Sequence, residues 1–509
     1  MNPPSPALWW AAVAGLCLAL LAPLALVDVP PLLDYPNHLA RLVVLAFGPA
    51  DPVLARFYAP RWGIIPDLGI DLLGVPLLHL LPVHLAGRAI IGIVVLTPVL
   101  GCIAYSRAAF GRASWWALGC GLVAYNQTLL LGFLNFTLGL GLALWLAAAW
   151  LAWRDTRPWR ALAIVVPGAA ALFFCHLMGL LFLALLLGAQ ELAWLWRTRG
   201  RTGLAGRIAA VLAVGVVPVA LYAASSLPEM AGAAVFPSPA TKVSQLLAPF
   251  VNVVLPLDII TAVLVAGAAL GLLLSGRCRV AASGGVALAL ALLLYAVAPA
   301  EFKGTANLDA RFVILLGYLL FAALLPLRLP RPLALILVLL FAARMTVLGA
   351  VWYERNADIS DLRSVIALVE PGSTVFVTSV EPAEAPAFWN AAPLARRLST
   401  GMQTETQMPA LLLIERRAWW PFLFDNPSQQ PVRTRQPYRD MANRVGSMPP
   451  HNAVRDPRAV DLCGYDQLLL LDAAGEPDRA HFAQDRLVLR ADSPFAALYA
   501  VRQDVACRP

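Results

Sequence analysis

The chain has 509 residues, of which 60% are hydrophobic and 13% charged, with a formal net charge of +8. No soluble protein of this size needs so much apolar surface, so the class expected is mainly α: a polytopic α-helical membrane protein. The excess cations sit in short loops between apolar runs rather than in one patch, which argues for membrane topology and against a nucleic-acid partner.

Residues 7–27 form the first apolar run. No basic segment precedes it and it is long enough to span, so it reads as a retained helix rather than a cleaved signal. Further spans are expected at 86–106, 115–131, 132–153, 160–175, 176–196, 207–226, 251–274, 280–298, 311–327 and 332–351, about eleven in all. The tracts 115–153 and 161–196 are each too long for one crossing. They read as helical hairpins turning near Asn126/Gln127 or Asn135, and near His176.

Five successive short loops carry arginines: 107 and 112; 154, 157 and 160; 197, 199, 201 and 207; 277 and 279; 328 and 331. The positive-inside rule places that side in the cytoplasm. The N-terminus is then cytoplasmic, and the loops 28–85, 227–250 and 299–310 face out with the C-terminal region. There are only two lysines, Lys242 and Lys303, against 36 arginines, a bias of high-GC bacterial genomes. A bacterial inner membrane is the location expected.

The loop 28–85 is long, rich in Pro, and carries amphipathic pieces at 36–47 and 67–80. Loops of this length tend to be functional, and these pieces suit helices lying along the membrane face. The loop begins V-D-V-P-P-L-L-D-Y-P-N-H-L-A-R-L, placing Asp28, Asp34, Tyr35, Asn37, His38 and Arg41 just past the first span. Carboxylates at a membrane boundary are costly to desolvate and mark substrate or ion sites. Asp34 is the leading candidate for a general base, with its pKa tuned by partial burial. The plainer reading is a helix-capping or solvated loop carboxylate.

Asp67 and Asp71 stand four apart, as a pair on one helix face able to bind a cation or a substrate hydroxyl, or as a cap and a solvated acid. His79 and His84 read as interfacial side chains, and His176 either lines a cavity or bonds a neighbouring helix. The loop 299–311 carries Glu301, Lys303, Asn307, Asp309 and Arg311. Cations there run against the positive-inside trend; a lipid phosphate would account for them, as would local pairing of Lys303 with Glu301 and Arg311 with Asp309. Lys242 could serve the same anion.

Only 11 of the 30 acidic residues precede residue 352, so residues 352–509 form a different, water-compatible domain after the membrane region 1–351. A helix is expected over 356–370, stopped by Pro371-Gly372. Strands are expected at 374–380, 408–415, 466–472 and 495–501, giving an α/β domain. It contains no phosphate loop, zinc spacing or nucleophile elbow. Cys463 and Cys507 could pair if this domain is extracytoplasmic; the other five cysteines read as small hydrophobes.

The chain resembles the C-type superfamily of polytopic membrane glycosyltransferases, which includes protein O-mannosyltransferases and lipid A aminoarabinose transferases. The resemblance rests on the acidic motif D-Y-P-N-H after the first span, the long amphipathic first loop, about eleven spans and a C-terminal soluble domain. It departs from the family's Asp-Glu or Asp-x-Asp pair, since Tyr35-Pro36 follows Asp34, and leaves Asp28 as a rival for the catalytic position. The resemblance implies inverting transfer of a sugar from a polyprenyl-phosphate donor to a glycan, lipid or protein acceptor. Asp34 or Asp28 would be the base, His38 and Arg41 would orient it or bind the acceptor, and Lys303, Arg311 and Lys242 would contact the phosphate. No cofactor is required by such a displacement, though the acidic pair leaves room for a divalent cation. A transporter or flippase of lipid-linked sugars would use the same cations, and a membrane scaffold would leave the Asp34 cluster without a task.

Overall fold

The computed structural model describes residues 5–199, 203–227, 232–303, 305–379, 396–445, 461–472 and 485–506. Its contacts divide the chain into two units. The first comprises Met1–Ala25, Gly63–Ile70 and Ala89–Gly349; the second comprises Leu26–Trp62, Asp71–Arg88 and Ala350–Pro509.

Among the described residues eight helices are long and apolar enough to cross a membrane. They are α1 (Pro6–Ala25), α5 (Val83–Phe110), α7 (Leu134–Trp153), α8 (Pro158–Cys175), α9 (Leu177–Thr198), α10 (Leu204–Ala224), α12 (Leu255–Leu274) and α15 (Arg331–Ile366). In the first unit α7 packs on α8 and α9, α9 on α13 (Ala282–Val297), and α13 on α14 (Leu308–Ala322). Between lipid-facing helices burial brings no hydrophobic gain, so close packing and polar contacts hold such a bundle.

Three expected spans differ. Residues 115–131 form no long helix: a 3-10 helix at Trp115–Val123 is followed by the single turn α6 (Gln127–Leu130), capped by the Asn126 side chain. Gly119 lies so close to the Phe321 ring that a Cβ would collide with it, and this approach holds the segment against α14. The other two are α13 and α14, shorter than a full crossing at 16 and 15 residues. The hairpin turn at His176 is present: α8 ends at Cys175 and α9 starts at Leu177. The helix expected at 356–370 is the continuation of α15, because no breaker stands before Pro371-Gly372.

The second unit contains α2 (Tyr35–Phe47), α3 (Pro52–Phe57) and most of α4 (Gly69–Leu80). Its main sheet has the order β4-β6-β8-β7, built from Val375–Ser379, Gln467–Leu471, Ala496–Val501 and Leu487–Asp492; β4 and β6 are parallel and the other pairs antiparallel. A second ribbon pairs β1 (Tyr58–Pro60) with β5 (Val432–Thr434). The strand expected at 408–415 is instead a 3-10 turn, Met408–Ala410, leading into α16 (Leu411–Arg416). A short leucine run is compatible with either form, and here Pro409 starts a helical turn while Leu411, Leu412 and Leu413 are wholly buried. Cys463 is disulfide-bonded, and Cys507 lies outside the described residues.

Candidate active site

In the second unit the D-Y-P-N-H motif forms the start of α2. Asp34 stands at the N-cap, yet its side chain makes no capping bond. By contrast Asp51 caps α3 in the ordinary way, accepting from the amides of Val53 and Leu54. An N-cap carboxylate commonly adds about 1 kcal/mol of helix stability, so Asp34 forgoes a bond open to it. Its carboxyl group makes no hydrogen bond or ion pair among the described residues; only its backbone carbonyl is engaged, accepting from the His38 amide at 3.1 Å. Apolar surroundings push its carboxyl from 3.8 up to about 7, with burial as the cause.

The rest of the motif is committed to holding α2. Asn37 is fully buried and donates to Gln407 Oε1 and the Phe422 carbonyl, 2.8 Å each, while its own Oδ1 accepts from the Phe424 amide at 2.9 Å. Tyr35 enters beside Gly87, where any Cβ would collide with the phenol oxygen. The His38 ring meets Phe424 edge-on at 5.7 Å.

Arg41 does not orient Asp34 or face an acceptor, as its place in the motif suggests. Instead its guanidinium grips Asp71 with two bonds, 2.9 and 3.0 Å, both side chains wholly buried. The pair locks α2 to α4 and leaves neither group exposed. Asp67 and Asp71 therefore do not act as a pair on one helix face. Asp67 precedes α4, which starts at Gly69, and sits at φ 63° in the first unit, whereas Asp71 is in the second. An Asp tolerates that left-handed backbone better than most residues.

Asp28 is engaged elsewhere. Arg363 Nη2 bonds its Oδ2 at 2.6 Å and Glu415 Oε1 at 2.7 Å, and His84 Nε2 meets the same Glu415 oxygen at 2.8 Å. Burial would raise the Glu415 carboxyl, but His84 and Arg363 outweigh it and hold it below its usual range. The sequence does not single out His84, Arg363 and Glu415 together, because nothing in local spacing links residues 28, 84, 363 and 415.

The first unit holds the cations. Lys242 donates to the carbonyls of Tyr295 and Ala298 at 2.7 Å each and forms an ion pair with Asp309 Oδ2 at 3.2 Å. It fixes a loop, and Asp309 pairs with it rather than with Arg311. Lys303, at φ 49°, makes no hydrogen bond or ion pair among the described residues and does not pair with Glu301. Arg311 is buried, flanked by the faces of Phe133 and Phe136 at 5.1 and 5.3 Å, and has no carboxylate within ion-pair distance among the described residues. Its Nη1 lies 2.9 Å from His176 Nε2. Among the described residues no three His, Cys, Asp or Glu side chains gather as a metal site.

Deeper in the first unit, Arg344 pairs with Asp258 at 2.7 Å and donates to Thr261 and the Phe250 carbonyl. Two lone charges in apolar helices are the only trace of this pair in the sequence, and spacing alone does not bring them together.

No protein-family model matches the sequence, and no curated protein matches it. Solved structures do match the fold. ArnT from Cupriavidus metallidurans in the apo state superimposes with a TM-score of 0.55 at 14% identity, covering 98% of this chain and 99% of that one. The same protein bound to undecaprenyl phosphate gives a TM-score of 0.55 at 12% identity with the same coverage. Along nearly its whole length, this chain therefore has the fold of ArnT.

Proposed function

We propose that this protein is a membrane glycosyltransferase that moves a sugar from a polyprenyl-phosphate carrier to an acceptor hydroxyl. The observation that carries the reading is Asp34: a carboxylate at a helix start that neither caps nor pairs, with its pKa raised to about 7. A general base works best when its pKa lies near the working pH. The likeness to ArnT, one of whose structures holds undecaprenyl phosphate, supports the carrier.

In this reading Asp34 takes the proton of the acceptor hydroxyl as that oxygen attacks the anomeric carbon. The bond from that carbon to the phosphate oxygen breaks, its electron pair leaves with the polyprenyl phosphate, and the anomeric centre inverts. Phosphate is a good leaving group, so no general acid and no cofactor is needed. The charge that develops on the phosphate calls for a cation; the candidates are Arg311, buried with no carboxylate within ion-pair distance among the described residues, and Lys303. Asp28 is tied to Arg363 and serves the loop rather than the chemistry. The arginine-bearing loops suit a cytoplasmic N-terminus in the bacterial inner membrane, with the acceptor outside.

The test is purified protein in liposomes given polyprenyl-phosphate radiolabelled sugars and an envelope extract as acceptor, with and without EDTA. Label should move covalently into the acceptor fraction as free polyprenyl phosphate accumulates, equally in both conditions. Label that crosses the bilayer still joined to its lipid would contradict the reading and identify a transporter.

A further inference from the structure

The contacts of His176 carry one step further. Its backbone is extended, and its Nδ1 accepts the Met178 amide at 2.9 Å, capping α9. A neutral imidazole has one N–H, so an accepting Nδ1 fixes that hydrogen on Nε2. Yet Nε2 lies 2.9 Å from Arg311 Nη1, itself a donor. Two donors face each other at hydrogen-bond distance, a contact that is satisfied only when both turn to a shared acceptor.

The Arg311 side chain is prepared for one. Its Nε is buried without a hydrogen-bond partner, its Nη2 reaches the Ala306 carbonyl only at 3.2 Å, and Phe133 and Phe136 exclude water from its faces. The nearest carboxylate to the imidazole is Asp67, whose Oδ1 is 3.6 Å from His176 Nε2, beyond hydrogen-bond reach. Asn135 fixes that loop, donating to the Asp67 carbonyl at 2.6 Å and accepting from the Ile70 amide at 2.8 Å.

We infer that His176 and Arg311 form a two-donor seat for one phosphate oxyanion, with the helix cap setting the imidazole tautomer so that Nε2–H points at the anion. The inference rests on the carrier reading above and adds His176 to it as a binding residue for the carrier's phosphate. Asp67, with Oδ1 3.6 Å from His176 Nε2, keeps the net charge of the seat low, which favours release of the spent carrier over tight retention.

The test separates the two nitrogens. His176→Asn keeps an acceptor at the Nδ1 position, since Asn is a favoured cap, but has nothing at Nε2. His176→Gln keeps a donor near Nε2 and loses the cap. Binding of a short-chain polyprenyl phosphate to protein in phosphatidylcholine nanodiscs is measured beside thermal melting, with the uncharged polyprenol as control. The Asn variant should melt like the wild type and bind the phosphate roughly 10- to 100-fold more weakly, the loss of one hydrogen bond to a charged group. The Gln variant should melt earlier and bind within about threefold of wild type, less than one hydrogen bond's worth. Undiminished binding by the Asn variant, or equal weakening in both variants, overturns the role of His176 and leaves the carrier reading intact. If the wild type binds polyprenol as tightly as its phosphate, the carrier reading fails and the seat fails with it.

Discussion

At the scale of single residues, Asp34 is set apart by what it gives up. Its carboxyl moves from 3.8 to about 7 on folding, a cost on the order of 4 kcal/mol at high pH before solvent screening lowers it. The sign follows from the raised value: the folded state binds the proton more tightly, so the group is without cost below about pH 4. Destabilisation grows as pH rises toward 7 and is constant above it. Asp34→Asn should therefore raise the melting temperature by a few degrees at pH 8 and leave it unchanged near pH 3.5. A lower melting temperature at pH 8 would mean that the carboxylate is a structural group. Glu405 is also pushed up to about 7, chiefly by burial and against the pull of Arg355, and comparing variant with wild type removes its contribution. The sequence shows that Asp34 is costly where it stands. It does not show that Arg41, two turns on, is spent on Asp71, or that Asn37 is spent on Gln407 and the 422–424 backbone. Such partners lie 30 to 387 positions away, and local spacing carries no trace of them.

At the scale of elements, α12 and α15 are joined by the Asp258–Arg344 pair, with side chains 1% and 2% exposed. Removing one partner of a buried pair strands the other charge and typically costs about 3–5 kcal/mol, whereas replacing both with apolar groups is often neutral. Arg344→Met should thus cause early loss of the monodisperse protein on heating in detergent, and Asp258→Leu in the same chain should restore most of it. A single variant as stable as wild type would show that the pair contributes nothing. Long apolar helices such as α7 and α9 are plain in the sequence because hydrocarbon demands about 20 apolar residues. The 115–131 segment is apolar enough to span but not helical enough, since close approach at Gly119 shapes it. The 411–416 turn is ambiguous for the opposite reason: six residues are too few for periodicity to decide.

At the scale of the whole molecule, composition and loop charge are enough to anticipate a polytopic helical protein, the resemblance carried by the D-Y-P-N-H motif and the long first loop adds the family expectation, and the ArnT-like fold over 98% of the chain agrees. The way the second unit is assembled is not legible in the same way. It takes pieces of the first loop and joins them to the C-terminal residues through the β1–β5 ribbon and the Asp28–Arg363 pair, the latter spanning 335 positions. The central claim is that Asp34 is the base of a transfer reaction. The measurement that tests it most directly is sugar transfer from the polyprenyl-phosphate donor, followed from about pH 5 to about pH 9 in wild type and Asp34→Asn. The wild-type rate should rise through pH 7 to a plateau, as the carboxyl ionises at about 7, and the Asn variant should be at least ~100-fold slower without that rise. An Asn variant that transfers at the wild-type rate with the same pH dependence would contradict it.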